Sequence, residues 1–281
     1  MAAVPVAAAA LLLLMVMIQR PSFGPQATAP ATHLAQVQIS LGEVRVRSGE
    51  GAQASAISRG QRLTADQWIT TGGDARLALQ WRDGASVRID KQTSLLLTAE
   101  GEIELEQGRV YLDTHLISPG PESPVILTPA GPVRHIGTQY MTSVDRAATH
   151  ISVREGKVVL SDGGVDHTTE AGEQLSVDSV GHTSLEPIPV YGEPWLWAES
   201  LAAPFDSNGK SVADFLEWVS RETGYRVEYA SEEAAQVARD TELRGEVNLQ
   251  PTRALELVLQ TTKLSGTVEG GIIMVKVRTE K

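Results

Sequence analysis

The sequence predicts a mainly β protein: a β domain of the sandwich, jelly-roll or β-helical barrel kind, then a small α+β domain, with an N-terminal membrane helix ahead of both. Three observations carry this prediction. From Val37 to about residue 190, apolar and polar residues alternate in short runs separated by glycine-centred turns, the pattern of half-buried strands. After Ser211 the apolar spacing becomes helical. Before both lies an unbroken apolar run, Met1 to Ile18.

The elements follow in order. Residues 1–18 contain Leu11-Leu12-Leu13-Leu14 and Met15-Val16-Met17-Ile18, with Pro5 the one poor helix former. The run has no polar face, so it reads as a membrane span or signal anchor, against a cleaved signal peptide or a core helix. No Lys or Arg precedes it and Arg20 follows it, the reverse of the usual cytoplasmic bias. Residues 19–36, with Pro21, Pro25 and Pro30, read as an extended tether.

Residues 37–190 form the β domain. Gly42 to Arg47 and Ala75 to Trp81 alternate as strands, Asp83-Gly84 makes a hairpin turn, and Ser86 to Ile89 returns. Further turns are expected at Glu100-Gly101, Gln107-Gly108, Glu155-Gly156 and Asp162-Gly163-Gly164. In Thr128 to Leu160 one strand is expected to end at Gly131 and a second to break at His135-Ile136-Gly137-Thr138. A third should run to Val144, and a fourth, Ile151 to Arg154, should turn at Glu155-Gly156 and return as Val158 to Leu160.

Residues 191–204 are a linker. Its Trp195 and Trp197 are too large and apolar for a free tether, so they are expected to pack on one of the flanking domains. Residues 205–281 read in the order β-α-β-β-α-β-β, a small α+β domain of the βαββαβ kind. Ser211 with Asp214 is a capping box; Val212, Phe215, Leu216 and Val219 share one helix face; Gly224 ends the helix. Tyr225 to Tyr229 alternates as a strand, and Ser231-Glu232-Glu233 opens a short helix. Leu243 to Leu249 suggests another strand. Pro251 starts a helix that buries Ala254, Leu255, Val258 and Leu259, and a hairpin crosses Gly270-Gly271. Two separately folded units joined near Gly192 to Pro204 are expected.

The chemistry of the chain is sparse. A formal net charge of −11 argues against nucleic acid as a partner. There are no cysteines, which removes disulfides and thiolate chemistry. The six histidines form no H-x-H or H-x-x-x-H pair, and His135 reads as a strand residue facing solvent or a loop. Glu102, Glu104 and Glu106 share one strand face and read as a solvated stripe. No nucleophile elbow, phosphate loop or dinucleotide fingerprint is present, so no catalytic, cofactor-binding or metal residue is nominated and no enzyme is expected. Trp218 and Arg221, off the apolar face of the Ser211–Gly224 helix, are the candidate partner interface, against the plainer reading of Trp218 as a cover on the edge of the core.

The T-P-x-G of Thr128-Pro129-Ala130-Gly131, the Gly137-Thr138-Gln139-Tyr140 segment and the Val153-x-x-Gly156-x-Val158 segment resemble the periplasmic domain of the FecR family. The first half resembles it too, from Arg59-Gly60-Gln61-Arg62-Leu63 through Trp68 to Gly72 and Asp83 to Val87, as does the closing Glu170 to Leu175. That resemblance implies a jelly-roll-like double-stranded β fold and a role in relaying signals from outer-membrane iron receptors to extracytoplasmic-function sigma factors. Ser211 to Leu216 with Thr223-Gly224-Tyr225, Leu243 to Val247, and Thr252 to Leu264 are similar to the short N-terminal (STN) domain of secretins and TonB-dependent receptors, a periplasmic docking module.

The reading that follows is a single-pass inner-membrane regulator with most of the chain in the periplasm. Its partners would be the signalling domain of a TonB-dependent receptor or another envelope protein, with the membrane held through residues 1–18. The family places a sigma-binding cytoplasmic segment ahead of the span, so an upstream in-frame extension or a neighbouring gene is expected to carry it. The alternative is a periplasmic scaffold or ligand-binding protein, in a secretin-like assembly.

Overall fold

The computed structural model describes residues 33–49, 51–114, 123–245 and 247–278. The expected membrane segment and most of the expected tether lie outside the described residues. No helix among the described residues is long and apolar enough to cross a membrane.

The chain is mainly β, as the alternation predicts. The first half comprises β1 (His33–Leu41), β2 (Val44–Ser48), β3 (Ser55–Ala56), β4 (Arg62–Thr64), β5 (Gln67–Thr71), β6 (Arg76–Trp81), β7 (Ser86–Ile89), β8 (Ser94–Leu97) and β9 (Ile103–Asp113). Then come β10 (Ile126–Thr128), β11 (Gly131–Val144), β12 (Ala148–Asp162), β13 (Val165–Glu170), β14 (Glu173–Asp178) and β15 (Thr183–Pro187). All join one branched sheet. β1 starts at His33, inside the segment expected to be tether.

The branching is built into β9. Its first half pairs with β8 and its second half with β7, and Gly108 marks the change (φ 98°). A Cβ there would strike Thr93, whose hydroxyl accepts from the Arg109 N–H (3.1 Å). Gln107-Gly108, expected as a turn, is therefore a bulge inside a continuous strand. The same correction applies further on. His135 to Thr138 does not break the chain, and Glu155-Gly156 does not turn it. β11 and β12 run through as long partners, with register shifts between Ile136 and Tyr140. Gly137 and Gly156 face each other across that bulge at φ 61° and 77°. A Cβ on Gly156 would strike the Gly137 carbonyl oxygen. Positive-φ glycines serve hairpins and bulges alike, and only the pairing partners decide between them. The turns at Asp83-Gly84, Glu100-Gly101 and Asp162-Gly163-Gly164 are as expected.

The inward faces enclose an aliphatic core that includes Leu63, Ile69, Leu77, Leu79, Val87, Leu112, Val153 and Leu160, with Trp81 and Tyr140 as its large members. His135 points inward rather than to solvent: it is 7% exposed, its ring lies 6.2 Å from that of Tyr140, and burial lowers its pKa.

The C-terminal region comprises α1 (Leu196–Glu199), α2 (Val212–Thr223), β16 (Arg226–Tyr229), α3 (Glu232–Asp240), α4 (Pro251–Gln260), β17 (Leu264–Glu269) and β18 (Ile272–Val277). Ser211 and Asp214 form the capping box and Gly224 ends α2 in the left-handed conformation (φ 73°). β16 lies parallel to β18, which forms the hairpin with β17. The expected strand over Leu243 to Leu249 is reduced to single bridges flanking and within it, Ser211 to Glu242 and Phe205 to Val247. This region has its own core of Val212, Phe215, Leu216, Val219, Leu255, Leu264, Ile273 and Val275. The described β and C-terminal regions belong to one compact unit, Thr32–Lys281.

Candidate functional site

The outer face of the β sheet explains how the two regions meet. Ile39, Ala78, Arg88, Tyr111, Met141 and Ser152 stand opposite one another along neighbouring strands. Their side chains leave the main core, so simple alternation would put them in water. Instead Trp195, Trp197, Ala198 and Leu201 cover Ala78, Tyr111 and Met141 in a second apolar cluster. Trp195 packs edge-on to Tyr111 (6.1 Å between centroids) and donates its indole N–H to the Pro189 carbonyl (2.7 Å). The residues after the sheet are thus a fixed strap, as the linker tryptophans suggest.

Polar groups buried at the same boundary tie the strap and α2 to the sheet. Arg154, on β12, has 1% of its side chain exposed. Its Nε donates to the Val190 carbonyl (2.8 Å), and Nη1 donates to the Glu222 carbonyl (2.9 Å). Nη2 donates to the Thr223 carbonyl (2.9 Å) and to Glu199 Oε1 (3.0 Å). The guanidinium therefore caps the C-terminal end of α2, where carbonyls lack intrahelical donors and the helix dipole is negative. It also lies over the Trp195 ring, 5.0 Å from the centroid. Gly224 allows this approach, since a Cβ there would meet the Val190 carbonyl and the Arg154 Nε.

Arg88, on β7, holds the carboxylate of Glu222 through both oxygens, Nη2 to Oε1 at 3.0 Å and Nη1 to Oε2 at 2.8 Å, and donates to the Ala198 carbonyl (2.9 Å). Burial opposes the Arg88 charge, but Glu222 outweighs it and the guanidinium stays firmly protonated. Burial pushes the Glu199 carboxyl above its ordinary value, with Arg154 pulling the other way. At the rim Asp113 accepts from Arg221 Nη2 (2.7 Å), and Gln139 Nε2 donates to Asp113 and to the Arg221 carbonyl (both 3.2 Å). This is a clamp of paired charges. Ion pairs of this kind add little net stability, but they tolerate one geometry and penalise the loss of either partner.

Beside the clamp lies a cleft of about 780 Å³ lined by both regions. Trp218 and Arg221, the candidate interface pair, both line it. Trp218 is half-buried and packs on Phe205 and Phe215 (5.6 and 5.7 Å between centroids), and Arg221 reaches the sheet through Asp113. Sequence reading missed Arg88, Asp113, Arg154, Glu199 and Glu222. The available signal was the pair Tyr111 and Met141: large side chains on a face that alternation assigns to solvent. Among the described residues no group of three or more His, Asp or Glu could hold a metal ion.

The FecR protein family matches residues 67–159. A FecR domain thus lies within the sheet. The FecR domain supplies the whole sheet side of the clamp, since Arg88, Asp113, Gln139 and Arg154 all fall within it. The FecR-domain chain also aligns with two crystal structures of a proposed anti-sigma factor from Parabacteroides distasonis, at 1.65 and 2.50 Å resolution. Each has 16% identity and a TM-score of 0.40, with 76% of this chain and 99% of that chain covered. No curated protein matches the FecR-domain chain significantly.

Proposed function

We propose that this FecR-domain protein is a non-catalytic regulator of an extracytoplasmic-function sigma factor. It is anchored in the bacterial inner membrane through residues 1–18, with its bulk in the periplasm. The FecR domain is the observation that carries the reading. The C-terminal region, similar in its sequence pieces to STN modules, is the docking module for the signalling domain of a TonB-dependent receptor. Contact with the sigma factor requires a cytoplasmic segment.

The clamp supplies a physical route for the relay. Trp218 and Arg221 lie next to it, and Arg221 is already paired with Asp113 of the FecR domain. A partner that takes Trp218 and Arg221 competes with Asp113 for the guanidinium and so acts directly on the docking of α2. The test is a pull-down of the full chain with the receptor signalling domain encoded beside it, paired with a sigma-dependent reporter. Trp218→Ala should cut capture by about thirtyfold or more, as loss of an interface tryptophan worth about 2 kcal/mol does, and should silence the reporter. Full capture by a folded Trp218→Ala protein moves the interface elsewhere, and a reporter indifferent to deletion of the protein removes the sigma-factor role.

A further inference from the structure

We propose that the cleft beside the clamp binds a small amphipathic organic anion, a flat apolar body bearing one carboxylate or sulfonate. The volume, about 780 Å³, is that of small-molecule sites, which favour boundaries between packed regions. Its walls divide by chemistry. Leu201, Phe205, Trp218 and Leu249 give it an apolar side, and Leu249 is 45% exposed there, a cost that an apolar occupant would remove. Arg59 and Lys210 also line it, are exposed, and make no side-chain hydrogen bond or ion pair with a described residue. The nearby charges of Arg88, Arg221, Asp113, Glu199 and Glu222 are already committed to the clamp. Asp206, the remaining acid of the lining, accepts from the backbone and amide N–H groups of Asn208 (3.1 and 2.9 Å). Asp206 keeps its charge, so outside the clamp the lining carries two cations against one acid, in a chain whose net charge is −11.

The two cations come from different regions of the chain. Arg59 belongs to the loop between β3 and β4, and Lys210 to the turn ahead of α2. An anion held by both bridges the β region and the C-terminal region, so its binding favours the clamped arrangement. The cleft shares Trp218 with the proposed receptor interface, but binding by the chain alone does not depend on that assignment.

The experiment titrates the full chain with 1-naphthoate by calorimetry, with 1-naphthalenemethanol as the neutral analogue of the same shape. One saturable site per chain is expected, with the alcohol binding about tenfold more weakly or worse. The double variant Arg59→Gln/Lys210→Gln changes exposed residues and should keep the parent melting curve while losing about tenfold in naphthoate affinity. Leu249→Ser should weaken both probes alike. Absence of saturable binding overturns the proposal. So does equal binding of alcohol and carboxylate, or an unchanged affinity in the double variant.

Discussion

Removing the Arg154 side chain should release the C-terminal region from a FecR domain that stays folded. Arg154→Ala deletes hydrogen bonds to the carbonyls of Val190, Glu222 and Thr223 and the ion pair to Glu199, all with the guanidinium 1% exposed. Taking one partner from a buried ion pair costs about 3–5 kcal/mol, because the remaining charge stays buried and unpaired. Undocking lets water reach Glu199 and the three carbonyls, so undocking is the route by which the strain is relieved. A change of about 4 kcal/mol shifts the docked-to-undocked equilibrium by roughly a thousandfold. The assay is limited proteolysis across residues 191–204, with urea unfolding followed by tryptophan emission and far-UV circular dichroism. Trp195 and Trp197 belong to the strap, are buried against the sheet and report its release. The variant should be cut quickly in the strap, leave a β-rich fragment, and show a tryptophan transition ahead of the main one. Parent-like cleavage and a single parent-like transition would refute the reasoning.

Further outcomes follow from the same contacts. Arg88→Met should destabilise docking by about 3–5 kcal/mol by stranding Glu222, while Arg88→Met/Glu222→Leu should recover much of that loss in urea titrations. Glu199 has a raised pKa in the folded chain, so its contribution to stability is present below the ordinary value of 4.5 and is lost as pH rises through the folded value. Melting curves of Glu199→Gln should therefore lack the component of pH dependence that the parent shows just above 4.5. Ser211→Ala breaks the capping box of α2 and should cost about 1 kcal/mol, read as a lower urea midpoint with an unchanged slope. Gly156→Ala places a side chain at φ 77° against the Gly137 carbonyl, and should cost more than about 1 kcal/mol in the same assay.

The C-terminal region was legible because its signals are local. The Ser211–Asp214 pair, Gly224 after the last turn, Pro251 at a helix start and Gly270-Gly271 in a hairpin each act within a few residues of themselves. The β region was legible in its strands but not in its breaks. Gly108, Gly137 and Gly156 carry the backbone signature of a turn, yet each lies in a long strand whose partner is set by distant sequence. The clamp was the least legible part. Arg88 alternates with Val87 and Ile89 as a solvent-facing residue should, and its partners Ala198 and Glu222 lie 110 and 134 residues away. Arg154 caps a helix that sequence alone could not place beside β12. The outward Tyr111 and Met141 showed that something must cover that face, but not what.

The central claim is that Arg88 and Arg154 hold the FecR domain and the C-terminal region in one arrangement. The chain has no cysteines, so paired spin labels can be placed without background. Labels at Arg146→Cys in the FecR domain and Glu233→Cys on α3 sit at exposed positions of the two regions. The pulsed electron-spin distance between them should be one narrow distribution in the parent, broadening and shifting to longer distances in Arg88→Met/Arg154→Met. A broad distribution in the parent, or the same narrow one in both proteins, would contradict the account.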